Sequence, residues 1–222
     1  MAETDTTSPR PEADSSPESV AATVEALSRA LELHDYRRGE LGETGAHIAR
    51  VTSLGLALAE FAAPELLQQE QLEFGFRLHD IGMIGVPNST LEKGGLLSPA
   101  EVDEIREHPW LGERIVAPVK GLHGTARDVI ACHHERWDGS GYPRGLRGAE
   151  IPLAARIFAI ADTFDAMTHD QPYRKAVSVE TALREIATSA GTSFDPELTA
   201  AFLALQASRS VASGSVVATA DA

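Results

Sequence analysis

Residues 76–82 read Phe-Arg-Leu-His-Asp-Ile-Gly and place an ionisable pair, His79 and Asp80, inside an apolar stretch. A charged side chain among apolar neighbours is unfavourable unless it is paired or bound to a metal ion. One such residue indicates little, because a lone buried histidine is more often a hydrogen-bonded core residue than a ligand. The pair indicates a metal site only if other ionisable residues occur in similar apolar stretches.

Further apolar stretches repeat the pattern with His47, the neighbours His133 and His134, and Asp162. Imidazole together with carboxylate suits iron, manganese or zinc. Helical bundles build metal sites from inward-facing side chains. Adjacent ligands can serve one site at a helix end or where two metals share a pocket, and a two-metal site suits phosphoester hydrolysis. The sequence therefore predicts a metal centre.

Around these stretches the apolar residues recur at helical spacing. Ser98 and Glu101 form the pattern of a capping box, with Pro99 at the first helical position. Alternating strand patterns are lacking, although 139–152 could form a short hairpin. We predict an all-α bundle, with helices over 19–35, 46–61, 64–78, from Ser98 onward, and over 126–135, 151–167, 178–190 and 196–206.

The composition limits the classes of partner. The chain has 222 residues, 43% of them apolar, and a net charge of −14 from 33 acidic and 19 basic residues. Such a charge argues against binding of polymeric nucleic acid and against docking on anionic membranes. With one cysteine, Cys132, no internal disulfide can form. Neither a signal peptide nor a spanning segment is evident, so we expect a cytoplasmic protein.

The chain reads as one domain with two tails. Residues 1–17 are rich in Ser, Thr, Pro and acidic residues, which predicts disorder. Residues 208–222 consist mainly of small residues and are expected to be flexible. The domain is therefore expected to cover 18–207, without an internal linker or repeat.

An ordered series of motifs along the chain resembles the HD-GYP domain, a branch of the HD metal-dependent phosphohydrolases. The similarity covers about 31–203 and implies an all-helical HD-type bundle that hydrolyses cyclic di-GMP to linear pGpG, to GMP or to both. Its motifs are His79-Asp80-Ile81-Gly82, His108-Pro109, His133-His134-Glu135, Asp138-Gly139-Ser140-Gly141-Tyr142-Pro143, Ala161-Asp162, Pro172-Tyr173-Arg174-Lys175 and Gly191-Thr192-Ser193-Phe194-Asp195-Pro196.

The resemblance also implies which residues bind metal. By position they are His47, His79, Asp80, His108, His133, His134 and Asp162. Asp80 would bridge two divalent ions, most simply iron or manganese, and Asp80 and His79 would be the catalytic pair. Glu43, one helical turn before His47, stands where some members bind a third metal. The alternative for Glu43 is a solvated acid at a helix start.

Other roles follow from the same resemblance. Arg174 and Lys175 would hold substrate phosphates, and Gly141 and Tyr142 would shape the site. Tyr142 would either stack on guanine or cover the core. Asp165, one turn after Asp162, is expected to hydrogen-bond a ligand histidine. The Gly-Tyr-Pro loop is linked to protein partners in this family, and the first helix could contribute to a homodimer.

Three departures from the family pattern concern substrate affinity rather than metal binding. Met83 stands where many members have lysine, Gln171 where arginine is frequent, and 37–42 looks inserted. Met83 and Gln171 motivate one alternative to the hydrolysis of cyclic di-GMP, a catalytically weak sensor or interaction module for cyclic di-GMP. Because HD relatives cleave diverse phosphoesters, the other alternative is a phosphohydrolase for a different nucleotide.

Overall fold

The computed structural model describes residues 16–36, 43–69, 71–170 and 175–212. Within these ranges there is no β-strand, only an isolated bridge between Ala190 and Phe194, so the predicted all-α fold is confirmed. None of the helices in these ranges is both long and apolar enough to cross a bilayer. The α-helices are α1 (Pro17–Tyr36), α2 (Glu43–Ala62), α3 (Gln71–Leu78), α4 (Asn88–Leu91), α5 (Pro99–Arg106), α6 (His108–Val116), α7 (Thr125–Cys132), α8 (Leu153–Thr168), α9 (Val179–Thr188) and α10 (Pro196–Ala212).

Several predicted helix boundaries are wrong, two of them by the most. The helix expected over 64–78 is divided into a 3₁₀ helix, Pro64–Gln68, and α3, because Gln69 is extended. Leu66 and Leu72, on either side of the break, are both buried, so the apolar pattern gives no sign of it. The last helix continues beyond Gln206 to Ala212. The predicted tails, 1–17 and 208–222, stay predictions, since 1–15 and 213–222 lie outside the described residues.

The hairpin suggested for 139–152 is also wrong. This segment consists of turns and a 3₁₀ helix, Gly148–Glu150. Its backbone N–H groups at Arg144 and Leu146 donate to the buried carboxylate of Glu135, at 2.8 and 3.0 Å. Because a side chain takes these donors, they are not available to a strand ladder.

The predicted capping box at Ser98 and Glu101 is present at the start of α5.

The core is mainly aliphatic and falls into two large clusters. One joins α2, α3, α7, α8, α9 and α10 around the fully buried rings of Phe76, Phe158 and Phe202. The other joins α1, α2, α3, α6 and α7 around residues such as Val24 and Ile130. Both clusters include residues of α2, α3 and α7, so these helices are fixed on two sides. Their ends carry most of the predicted ligands.

The turn after α3 packs closely against the start of α6. Here a 3₁₀ helix, Ile81–Gly85, follows His79 and Asp80 directly. A Cβ atom on Gly82 would overlap the carbonyl oxygen of His108 and lie 2.6 Å from the backbone nitrogen of Gly112. Only glycine allows this approach, which brings His108 next to Asp80.

Substituting Gly82→Ala should lower the free energy of unfolding by about 3 kcal/mol, because the new methyl group meets backbone atoms that cannot rotate away. Gly94→Ala is the matched control, since a Cβ there has no atom within 4 Å. The control should change stability by less than about 0.5 kcal/mol. Urea unfolding followed by circular dichroism measures both. Equal stability of the two variants would contradict the packing described here.

Candidate metal centre

Five separate parts of the bundle bring the predicted ligands together. α2 contributes His47, the turn after α3 contributes His79 and Asp80, and α6 begins with His108. The remaining residues come from the end of α7 and from α8. They form two groups, in each of which one ligand atom per residue lies within 4.8 Å of the others. The groups are Asp80, His108, His133 and His134, and His47, His79 and Asp162.

The rings of His79, His108 and His133 are oriented by the same kind of hydrogen bond. Each lies at a helix end, where carbonyl groups lack intrahelical partners. Each Nδ1–H donates to a carbonyl oxygen three residues earlier. The acceptors are those of Phe76 (2.9 Å), Ile105 (2.7 Å) and Ile130 (3.1 Å). Since Nδ1 is the donor, Nε2 of all three rings is directed into the site.

The half-buried carboxylate of Asp80 lies between the two groups. Its Oδ1 atom is 3.2 Å from Nε2 of His108 and 3.4 Å from Nε2 of His133. Its Oδ2 atom is 3.3 Å from Nε2 of His79, which belongs to the other group. Two oxygens that face two ligand groups have the arrangement of a bridging carboxylate.

The ionisation of Asp80 fits this position. Burial raises the pKa of its carboxyl group, but the charge of His79 and the hydrogen bonds with His108 and His133 outweigh burial and lower the pKa well below its usual value. The carboxylate is therefore ionised without any metal.

His47 is held by a buried carboxylate rather than by a carbonyl. Asp165 Oδ2 is 2.7 Å from its Nδ1, and its Nε2 is 3.4 Å from Asp162 Oδ1. Arg50 donates to Asp165 through Nε at 2.6 Å. Burial raises the pKa of Asp165, but the hydrogen bonds with His47 and Arg50 lower it to about 2. A carboxylate on the far ring nitrogen fixes an imidazole and increases its basicity towards a metal.

Two histidines of the site differ in protonation. Burial lowers the pKa of His79, but the charge of Asp80, their hydrogen bond and the charge of Asp162 raise it to about 9. Burial and the neighbouring His133 lower the pKa of His134 to about 2. Without metal at neutral pH, His79 is therefore protonated and His134 is neutral.

The chemistry of the donors fits divalent transition metals. Imidazole Nε2 atoms and carboxylate oxygens converge in two adjoining groups, and each ring whose Nδ1 is bonded has a defined tautomer. Nitrogen and oxygen donors of this kind are ligands for iron, manganese and zinc.

A cleft of about 650 Å³ opens directly onto the site. Its lining includes the ligand residues His133, His134 and Asp162, together with Tyr142 and Arg106. The Tyr142 ring stacks on His134 with ring centres 4.7 Å apart and planes 24° apart. Gly141 also lines the cleft, and a Cβ there would lie 2.6 Å from the Cα atom of Glu135. The Gly-Tyr-Pro loop thus forms a wall of the cleft.

Several residues named in the sequence analysis are not part of this arrangement as described. Arg174, Gln171 and 37–42 lie outside the described residues, and so does the side chain of Glu43, although its backbone begins α2. Lys175 is exposed and donates to Asp170 at 2.7 Å. Met83 packs against the core cluster that includes Val24 and Ile130.

Three residues that have no role predicted from the sequence lie at or beside the site. Arg50 follows His47 by about one helical turn, a spacing that could have indicated a shared partner. Glu135 follows the His133-His134 pair directly. Glutamate is usually exposed, so nothing in the sequence indicates that this side chain is buried. Arg106 comes near Tyr142 only through the tertiary fold.

Comparison with known proteins identifies the family. A family model described as the HD domain matches residues 25–198, well over half of the chain. The chain belongs to the HD domain family. The family recognised from the motifs is thereby confirmed.

Individual relatives extend this finding. This HD domain chain is 40% identical over 168 residues to a cyclic di-GMP phosphodiesterase of Thermotoga maritima, covering 74% of this chain and 45% of the relative. It is 36% identical over 157 residues to the 3′3′-cGAMP-specific phosphodiesterase 2 of Vibrio cholerae, covering 70% and 30%. The chain thus spans less than half the length of these relatives.

A solved structure supports the fold. Bd1817, an HDG"Y"P protein from Bdellovibrio bacteriovorus, superposes with a TM-score of 0.60 at 20% identity, covering 86% of this chain and 64% of the other. At this identity the likeness shows that the two chains share the HD fold.

Metal binding should release a proton from His79. Its pKa of about 9 leaves it protonated at neutral pH, and a metal can bind Nε2 only after that proton leaves. Affinity should therefore rise about tenfold per pH unit from about pH 6.5 to about pH 8 and level off above about pH 9. Asp80 and His134 release no proton when a metal binds, because their lowered pKa values leave both already deprotonated at neutral pH.

Calorimetric titration of the metal-free protein with Mn²⁺, in two buffers of different ionisation enthalpy, measures the protons released. A pH-independent affinity with no released proton would contradict the protonation state assigned to His79.

Proposed function

We propose that this chain is a metal-dependent phosphodiesterase that hydrolyses cyclic di-GMP to linear pGpG, to GMP or to both. The observation that carries the proposal is the Asp80 carboxylate between two groups of ligand atoms at the end of a cleft. The names of relatives at 36–40% identity, which are phosphodiesterases for cyclic dinucleotides, support the substrate class.

The proposed ligands divide between two ions. Asp80, His108, His133 and His134 would hold one, and His47, His79, Asp80 and Asp162 the other. Glu43 would be the ligand of a third. Iron or manganese suits this mixture of imidazole and carboxylate. Bound cations would neutralise charge on the phosphate and lower the pKa of the attacking water.

The chain's own residues prepare the site for that chemistry. Hydrogen bonds from Nδ1 hold Nε2 of His79, His108 and His133 towards Asp80, so the ligand set is arranged before substrate binds. Asp165 likewise fixes the His47 ring, whose Nε2 faces Asp162. A preorganised set loses little free energy to reorientation when the reaction begins. Asp80 and His79 are the residues assigned to catalysis.

Substrate binding is proposed for the cleft beyond the ligands. Arg174 and Lys175 would bind phosphate, and Gly141 and Tyr142 would shape the wall. A net charge of −14 would repel an anionic dinucleotide if it acted alone. Positive charge close to the cleft is therefore required for binding.

Two other functions have specific support. A relative specific for 3′3′-cGAMP favours a different cyclic dinucleotide as substrate. Met83, whose side chain packs in the core and cannot donate to phosphate, favours a weakly catalytic sensor of cyclic di-GMP.

The biological setting is part of the same proposal. A reducing cytoplasm fits a single cysteine that is buried, since burial raises the pKa of the Cys132 thiol to about 11 and makes it unreactive. The Gly-Tyr-Pro loop is the proposed contact for a protein partner, and α1 the proposed contact for a homodimer.

Replacing Asp80 with alanine should lower turnover of cyclic di-GMP more than about 100-fold, because the carboxylate shared by both ligand groups is lost. The helical circular dichroism spectrum should not change. Asp103→Ala is the control, because Asp103 is an exposed acid on α5. Nucleotide products of the manganese- or iron-loaded proteins are measured by chromatography.

The same assay with 3′3′-cGAMP and other nucleotides separates the alternatives. Binding of cyclic di-GMP without product would favour the sensor, and faster turnover of another nucleotide would change the assigned substrate. Full activity of the Asp80→Ala protein would refute the proposed centre.

A further inference from the structure

Arg106 lines the cleft beside the Tyr142 ring. It is the last residue of α5, and its Cζ atom is 5.4 Å from the centre of the Tyr142 ring. Tyr142 in turn stacks on His134. A guanidinium over an aromatic face is held by cation–π attraction, which limits its freedom. The positive charge of Arg106 is therefore held near the cleft, because its side chain samples fewer conformations than a free one.

In the described part of the chain, this charge has no acidic partner. Within the ranges that the structure describes, no carboxylate oxygen comes within 4.0 Å of the Arg106 guanidinium, whereas Arg144 and Arg127 both pair with Glu113. The difference is notable in a chain with 33 acidic and only 19 basic residues. A guanidinium left unpaired at a cleft can bind an anion with its N–H groups, and its fork matches phosphate oxygens.

The position of Arg106 also indicates which anion it meets. Its guanidinium contacts the Tyr142 ring, and the same ring stacks on His134, which belongs to a ligand group. A phosphate that reacts must lie against the ligands. Arg106 adjoins the ligands through Tyr142 and lines the same cleft, where another part of an extended substrate would lie.

We propose that Arg106 binds the second phosphate of a cyclic dinucleotide, the one that is not being hydrolysed, and that Tyr142 holds the guanidinium for this contact. The inference rests on the proposed function, because it requires a substrate with two phosphates. Arg106 thereby selects such a substrate over a simple phosphodiester. The contact lies remote from the reacting atoms, so it contributes to binding more than to the chemical step.

The test compares Arg106→Gln with Arg114→Gln in the metal-loaded protein. Arg114 is a matched control because its guanidinium also lies over an aromatic ring, that of Trp110, at 4.8 Å. Two substrates are used, cyclic di-GMP and bis(p-nitrophenyl) phosphate, which has one phosphate. Steady-state kinetics give KM and kcat for each.

Arg106→Gln should raise KM for cyclic di-GMP about 10- to 100-fold, the effect of losing a charge-assisted hydrogen bond. Its kcat should stay within about twofold, and KM for bis(p-nitrophenyl) phosphate should not change. Arg114→Gln should match the wild type with both substrates. Tyr142→Leu should raise KM for cyclic di-GMP, whereas Tyr142→Phe, which keeps the ring, should have a smaller effect.

An unchanged KM for cyclic di-GMP in Arg106→Gln would overturn the inference and leave the proposed function intact. An equal rise in KM for both substrates would place Arg106 at the reacting phosphate and overturn the assignment to the second one. If the wild-type protein neither binds nor hydrolyses a cyclic dinucleotide, the proposed function fails, and this inference fails with it.

Discussion

The structure depends on one carboxylate that is shared by two sets of imidazoles. Asp80 presents one oxygen to His108 and His133 and the other to His79. An ionised carboxylate is stable in such a place only with strong partners. The bundle provides them from helix ends that are far apart in sequence, so the two groups cannot form unless the whole bundle has folded.

Backbone groups at the helix ends position the ligand side chains. Carbonyl groups at helix ends accept the Nδ1–H of His79, His108 and His133. This placement explains why these three ligands lie at helix ends, whereas His47 and Asp162 lie within α2 and α8. The close approach at Gly82 brings the turn of Asp80 to the start of α6, and Glu135 holds the loop that carries Tyr142. Packing and hydrogen bonding outside the site therefore fix the site's dimensions.

The sequence predicted the helical class and the ligand candidates because both leave local signals. Apolar spacing indicates a helix, and histidine or aspartate in an apolar stretch indicates a site such as that of His47 or Asp162. The break at Gln69 left no signal, since buried leucines continue on both sides. The hairpin prediction failed because a side chain, Glu135, replaced the expected backbone partners. Arg106 could not have been placed from sequence, because it meets Tyr142 only in three dimensions.

The claim that Asp80 is shared by two metal ions is tested most directly by anomalous diffraction from crystals of the protein loaded with manganese. The account predicts two anomalous peaks about 3.5–4 Å apart, one on each side of the Asp80 carboxylate. A third peak near Glu43 would add the proposed third ion without altering this result. A single peak, or peaks that do not contact Asp80, would contradict the account.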